Sequence, residues 1–276
     1  MSQTSSAAIA RPIVHHIPFC PFSQRLEILM ELKGAREAVD FRVVDITKPR
    51  AEHLLKLSGG TTALPIMELE GERALKESLV LMHYLEDRFP EPAIRRDDPY
   101  ERGLESLLIT LADPMISAGY RLVLNQARGE RDAHIAAYLD AAQKVDAFLR
   151  AHSKGDGPWL FDRFGWAEVA FTPFFLRFAF IPYYEGIDLP EDGRFDRLIE
   201  WRAACAAHPA AQQTSEEEIL KVYYDYAMGT GNGGLPPGRE VSSFAFEPHW
   251  KERPMPPRSK YEIRASDLEL GLLPKR

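Results

Sequence analysis

The sequence predicts an α/β domain followed by an all-helical domain, ending in an irregular tail. Three observations predict it. Strand and helix signals alternate over the first ninety residues. From about 99 to 228 the apolar period is helical almost throughout. Beyond Gly229 glycine and proline become too frequent for a regular core. A chain of 276 residues fits two domains, since domains cluster at roughly 100–150 residues.

In chain order, PIVHHI reads as a strand and residues 21–33 as a helix, with Phe22, Leu26 and Leu29 on one face and Gly34 as its stop. FRVVDI is a second strand, and AEHLLKL a short helix ended by Gly59 and Gly60. LPIMELE and RALK form a hairpin across Gly71, and SLVLMHYLEDRF an amphipathic helix closed by Pro90. The order βαβ–ββα is that of a compact, thioredoxin-like layer. The expected divisions are 1–90 for this domain, 91–98 (within EPAIRRDDP) for a linker, 99–228 for a helical bundle and 229–276 for the tail.

The bundle helices are expected at about 99–127, kinked at Pro114, then 131–152, 166–181, 194–208 and 215–228. Pro173 and Pro182 should bend or end the third. GTGNGGLPPGRE and RPMPPRSK suit a disordered extension. Phe244, Phe246, Trp250 and Tyr261 argue instead for a segment draped over the bundle. No internal repeat is evident.

Composition narrows the function classes. The net charge of -7 comes from 34 basic and 41 acidic residues, with no arginine stripe, so nucleic acid is not an expected partner. MSQTSSAAIARP lacks a signal's apolar core, and no apolar run approaches the ~20 residues of a membrane helix, so the expected location is cytoplasmic, with no membrane partner. Cys20 and Cys205 are the only cysteines and read as unpaired, as in a reducing compartment. No metal site is expected: His15 and His16 are adjacent on a strand and point to opposite faces, and the other histidines lack liganding spacing.

IPFCPFSQR places Cys20 where a strand gives way to a helix. Pro21 suits the first helical position, which puts Cys20 at the N-cap, facing free backbone N–H groups and the positive end of the helix dipole. A thiolate is stabilised there. Ser23, at the third helical position, can direct its hydroxyl or N–H toward the sulfur. With no second cysteine in the motif, an external thiol must resolve any mixed disulfide. Cys205, among alanines in WRAACAAHPA, reads as core filler.

A cradle for such a thiol lies in TTALPIMELEGERALKESLVL. Leu64-Pro65 starts a strand where a cis peptide would expose backbone groups to an extended ligand. Ser78 is a candidate N-cap whose helix start attracts a carboxylate, and Glu77 could take an ammonium beside it. Each feature alone also reads as a plain strand start or a plain capped helix. Together with CPFS they fit a ligand with an α-amino-acid end and a central peptide unit, as in glutathione.

On these motifs the chain resembles the glutathione transferase superfamily, with CPFSQR similar to the cysteine-type site of its omega class. The resemblance implies the glutathione transferase fold and glutathione as co-substrate, with Cys20 as the catalytic thiol supported by Pro21 and Ser23. It further implies that Phe22 supports glutathione and Lys48 reaches its glycyl carboxylate. Leu64 and Pro65 would pair its cysteinyl backbone, and Glu77 with Ser78 would hold its γ-glutamyl end. A homodimer is implied as well. One departure concerns the capping box of the second domain, where FGWAE offers Gly165, with Glu168 three residues on, in place of Ser or Thr.

GGTTALP, DRFGWAEVAFTPFF, EWRAACAAHPAAQ, KVYYDYAMGTGNG and RPMPPR further resemble the bacterial glutathione-dependent lyases (thioltransferases) of lignin β-aryl ether breakdown, which remove glutathione from an aryl ketone thioether. This implies an aromatic ketone thioether substrate and a proton donor within YYDY, with Tyr223 or Tyr224 favoured over Tyr226. Two other readings stay open: a general omega-type thiol transferase or dehydroascorbate reductase, and a non-catalytic ligand carrier.

Overall fold

A computed structural model describes residues 11–71, 73–262 and 264–273. The stretch read for a secretory signal lies, up to residue 10, outside them. Strand β1, Ile13–His16, is central to a sheet with β2, Asp40–Val43, β3, Ile66–Leu69, and β4, Arg73–Lys76. The order is β2-β1-β3-β4, with β1 parallel to β2 and antiparallel to β3. Helices α1, Pro21–Leu32, α2, Glu52–Leu57, and α3, Ser78–Arg88, complete the layer.

Helix α1 starts on Pro21 and ends where Gly34, at φ 59°, turns left-handed. The N–H groups of Gly34 and Ala35 return to Glu31 O and Met30 O at 2.9 and 3.0 Å, closing the last turn. Leu26 and Leu29 are fully buried, as their spacing predicts, but Phe22 departs from that stripe and is 39% exposed. At the second helical position its ring meets Phe174 edge-on at 5.2 Å. The polar face of α1 is covered too, since Gln24, Arg25 and Glu27 are buried. His15 and His16 point to opposite faces: His15 Nε2 lies 2.9 Å from Glu68 Oε2, while His16 meets the Phe41 ring edge-on.

The first expected bundle helix is two, α4, Pro99–Thr110, and α5, Ala112–Leu124, hinged at Leu111. The hinge precedes Pro114 because the proline sits in the first turn of α5, where its missing N–H has no helical partner to lose. The whole rod, Pro99–Leu124, is 26 residues long and apolar enough to cross a bilayer, contrary to the sequence expectation, but half of its apolar stretch is buried within the protein. Then follow α6, Arg131–His152, and α7, Trp166–Arg177, which runs through Pro173 rather than ending there. Pro182 lies inside a separate short helix, α8, Phe180–Glu185. After α9, Asp196–Ala207, the last expected helix is again split, into α10, Glu216–Val222, and α11, Tyr224–Ala227, with Tyr223 between them.

The tail packs on the bundle. Lys260 is buried and its ammonium donates to Leu122 O and Val123 O at 2.9 and 2.8 Å, satisfying carbonyls at the end of α5. Asp225 accepts from Ser242 Oγ and Ser243 N, both at 2.8 Å, and Arg239 bridges Asp225 to Asp267. Phe244 is buried as well. Buried polar anchors, together with Phe244, hold the tail despite its glycines and prolines.

The missing cap at Gly165 is supplied from another helix. Gly165 N donates to Glu168 Oε2 at 3.0 Å, the half of the capping box that a glycine can keep. Trp166 N donates to Glu105 Oε1 of α4 at 3.1 Å, and a Cβ at residue 165 would lie 3.2 Å from that oxygen. Burial first, and then the Glu168 charge, push the Glu105 carboxyl up to about 8. The folded chain therefore binds a proton at Glu105 that the unfolded chain releases above about 4.5. Stability from this group is full below that pH and lost as pH rises through 8. Thermal melts should show Tm falling between pH 5 and pH 8, and Glu105→Gln, which keeps the acceptor for Trp166, should flatten that fall. An unchanged slope would refute the assignment.

Candidate active site

Cys20 caps α1 in extended geometry, at φ -75° and ψ 124°, with Pro21 following as the first helical residue. Its thiol is partly exposed to a cleft of about 520 Å³ between the two domains. The corner presenting it is held from the helical domain: Arg177 Nη2 and Tyr223 Oη both donate to Phe19 O, at 2.8 and 2.9 Å. Ser23 lies inside α1, and its hydroxyl is buried without a partner, so it does not support the sulfur by hydrogen bonding.

The cleft has two unlike walls. On the α/β side, Phe22, Lys48, Arg50 and Leu64 line it; on the helical side, Tyr120, Tyr223, Tyr226 and Phe244 do. Among the described residues neither wall carries a carboxylate. Lys48 is paired with Asp45 at 3.0 Å and its side chain is 76% exposed. Arg50, which sequence reasoning passed over, donates from Nη2 to Thr62 O at 3.0 Å, while Nε and Nη1 are buried with no acceptor among the described residues. Burial accordingly lowers its guanidinium pKa, and the anion it lacks can come from a ligand.

The γ-glutamyl end of the expected cradle is built differently. Leu64-Pro65 is cis, and Leu64 lines the cleft, whereas Pro65, Glu77 and Ser78 are not among its lining residues. Ser78 is not the N-cap: it is the first residue of α3, buried, and its hydroxyl accepts from Arg25 Nη1 at 3.0 Å. Glu77 holds the cap position at φ 70° with no capping bond from its side chain, and it is exposed. The cap position shifted by one residue because the Arg25 guanidinium draws the serine hydroxyl inward. The side chains at the start of α3 leave its first N–H groups uncapped, so an incoming carboxylate meets no competitor there.

The three tyrosines of YYDY separate. Tyr223 and Tyr226 line the cleft, and burial raises both phenols above their ordinary range. Tyr224 does not reach it: its hydroxyl accepts from Ala265 N of the tail at 2.8 Å. Tyr223 and Tyr226, three residues apart, share a helical face, and Tyr224, one residue on from Tyr223, points elsewhere and anchors the tail. Tyr120, in SAGYR of α5, is the third phenol of the cleft, and its only sequence signal was an aromatic on an apolar helix, which reads as core. Tyr120, Tyr223, Tyr226 and Phe244 pack with ring centroids 5.2 to 6.5 Å apart.

The fold has known counterparts. Residues 14–93 match the family model described as glutathione S-transferase, N-terminal domain, and residues 132–204 the one described as glutathione S-transferase, C-terminal domain, together more than half of the chain. Protein IN2-1 homolog A of Oryza sativa subsp. japonica is 30% identical over 169 residues, 61% of this chain and 65% of its own length. This chain thus spans just under two thirds of that relative. Glutathione transferase Omega 3C of Trametes versicolor superposes with a TM-score of 0.64 at 24% identity, covering 75% of this chain and 90% of the other. Rice GST1, solved in complex with glutathione, superposes with a TM-score of 0.64 at 23% identity, covering 79% and 96%. At these identities the superpositions establish the fold. The chain belongs to the glutathione transferase superfamily.

The two cysteines differ in access. Cys205 is fully buried, and burial raises its thiol well above the usual range. Iodoacetamide should label one thiol in the native protein, at Cys20, and two in denaturant. Native labelling at Cys205 would contradict the packing of α9.

Proposed function

We propose that this glutathione transferase is a glutathione-dependent lyase of the thioltransferase type, which removes glutathione from an α-glutathionyl aryl ketone thioether. The observation that carries this reading is the meeting of Cys20 with buried phenols in one cleft whose opposite wall is basic. The basic wall and the open start of α3 suit the carboxylates of glutathione, and the aromatic wall suits a flat ring.

On this reading the Cys20 thiolate attacks the glutathionyl sulfur. The new S–S bond forms as the C–S bond breaks, and the electron pair passes through carbon to the ketone oxygen as an enolate. Tyr223, kept protonated by burial, donates to that oxygen as charge develops, and the carbon takes up a proton to give the ketone. A second glutathione thiolate attacks the mixed disulfide, restores the Cys20 thiolate and leaves as glutathione disulfide. One thioether and one glutathione thus give one ketone and one disulfide.

Cys20→Ser should abolish release of ketone and of glutathione disulfide from such a thioether. Retention of most activity would sink the thiolate mechanism. Tyr223→Phe should lower kcat by about 10²- to 10⁴-fold, the size of a general-acid contribution, and leave the KM for glutathione unchanged. A second reading, general omega-type transfer of glutathionyl groups, needs only Cys20, and the omega-class superposition favours it. It separates from the first because Tyr223→Phe would then leave disulfide reduction at full rate.

The carboxylate contacts are testable apart from turnover. Arg50→Gln should weaken glutathione binding more than Lys48→Gln does, because Arg50 has buried donors unpaired and Lys48 is solvated and already paired. The reverse order in calorimetric Kd would return the glycyl carboxylate to Lys48. The same reading extends to a homodimer, with Val80 on α3 and Tyr100 and Leu107 on α4 as exposed apolar side chains able to meet a second copy.

A further inference from the structure

The mouth of the cleft is finished by a glycine-rich turn, residues 229–234, that spans both domains. It leaves α11 through Gly229, at φ 83°, with Thr230 N donating to Asp225 O at 2.8 Å. The turn is wedged at two points. A Cβ at Gly231 would lie 2.6 Å from Cζ of Tyr226, and one at Gly233 would lie 2.6 Å from the backbone oxygen of Ile46 in the α/β domain. Both glycines are therefore required by space, and they fix the residue between them.

That residue, Asn232, lines the cleft at φ 55°, a left-handed conformation that asparagine tolerates better than most side chains. Its Oδ1 accepts from the hydroxyl of Tyr226 at 3.0 Å, and its backbone N–H also faces that phenol. Asn232 is exposed at the mouth, and with one Oδ1 lone pair taken by Tyr226 its donors are the Nδ2 amide N–H groups, which have no protein acceptor among the described residues. The helical wall is otherwise aromatic or aliphatic, apart from phenols.

We propose that Asn232 is a specificity-determining residue of the aromatic substrate site. Held by Tyr226 and the flanking glycines, it offers Nδ2 to an acceptor oxygen on the bound ring compound. The cleft thereby selects oxygenated aryl compounds, ketones and phenols, over hydrocarbons of the same shape. This rests on the reading of the cleft as an aryl ketone site, but it concerns recognition alone, and its test uses no turnover.

The probes are 4-hydroxyacetophenone and 4-ethyltoluene, a para-substituted ring of similar outline that carries no oxygen, titrated against the intact protein by quenching of intrinsic fluorescence. Wild type should bind the oxygenated probe more tightly. Asn232→Gly removes the amide while keeping a residue that accepts positive φ, so the turn is retained. It should lose about five- to tenfold in affinity for 4-hydroxyacetophenone, the range of one hydrogen bond, and nothing for 4-ethyltoluene. Asn232→Asp, which puts an acceptor where the donor was, should lose at least as much. Equal losses for both probes, or wild-type affinity in Asn232→Gly, would overturn the proposal. If Cys20→Ser abolished nothing while this selectivity held, the lyase reading would fail and the recognition would stand.

Discussion

The carbonyl of Phe19 is the point on which the site depends. It closes the corner between β1 and α1, one residue before the thiol, and two donors from the other domain grip it, Arg177 and Tyr223. Arg177 is fully buried and also reaches Gln24 Oε1 and Pro173 O. A buried arginine bonded to neutral acceptors is costly to desolvate, and the cost is offset only if those acceptors stay in place. The thiol's position is thus set as much by α7 as by the strand before it. Arg25 repeats the arrangement, donating to Ala170 O of α7 and to Ser78 Oγ of α3. Helix α1 is in effect buried on both faces, by the sheet through Leu26 and Leu29 and by the bundle through its polar side chains.

That double burial explains where the sequence was informative and where it was not. Apolar spacing located α1 and its stop at Gly34, because both follow from the helix's own residues. Spacing could not say that Gln24, Arg25 and Glu27 would be buried, because polar residues at helical spacing look like a solvated face until a second domain covers them. The same limit applies to Ser78, whose local signature is a helix cap. The cap was lost to Arg25, more than fifty residues away in sequence. Pro114 and Pro173 look alike in sequence. One sits in a helix's first turn and the other within a helix that continues, and the distinction depends on where the helices begin.

The tail shows a related limit. Its glycines and prolines are compatible with disorder, and the composition alone cannot weigh them against the buried anchors, Lys260 on the end of α5, Arg239 between Asp225 and Asp267, and Phe244 in the cleft. In the turn at 229–234 the glycines mark crowding. Gly231 and Gly233 are where a ring and a backbone oxygen come too close for any side chain. In YYDY the helical spacing itself separates the phenols: Tyr223 and Tyr226, three apart, face the cleft, and Tyr224 between them faces the tail.

The shared acceptor also bears on how a proton could leave Tyr223. A phenol bonded to a buried carbonyl would ordinarily be a poor donor to a ligand, because turning away would orphan the carbonyl. Phe19 O has two lone pairs, and Arg177, which also interacts with the Tyr223 hydroxyl, occupies one of them through its own N–H. When Tyr223 turns toward a ligand oxygen, Phe19 O keeps a charge-assisted partner, and the exchange replaces one hydrogen bond by another instead of leaving a group unpaired. Against a neutral ketone that exchange is nearly even. Against an oxygen gathering negative charge it becomes favourable, since hydrogen bonds to ionised acceptors are roughly twice as strong as neutral ones. Arg177 thus lets the corner stay rigid while its second donor remains free to respond to charge, which is the differential between ground and transition states that catalysis requires.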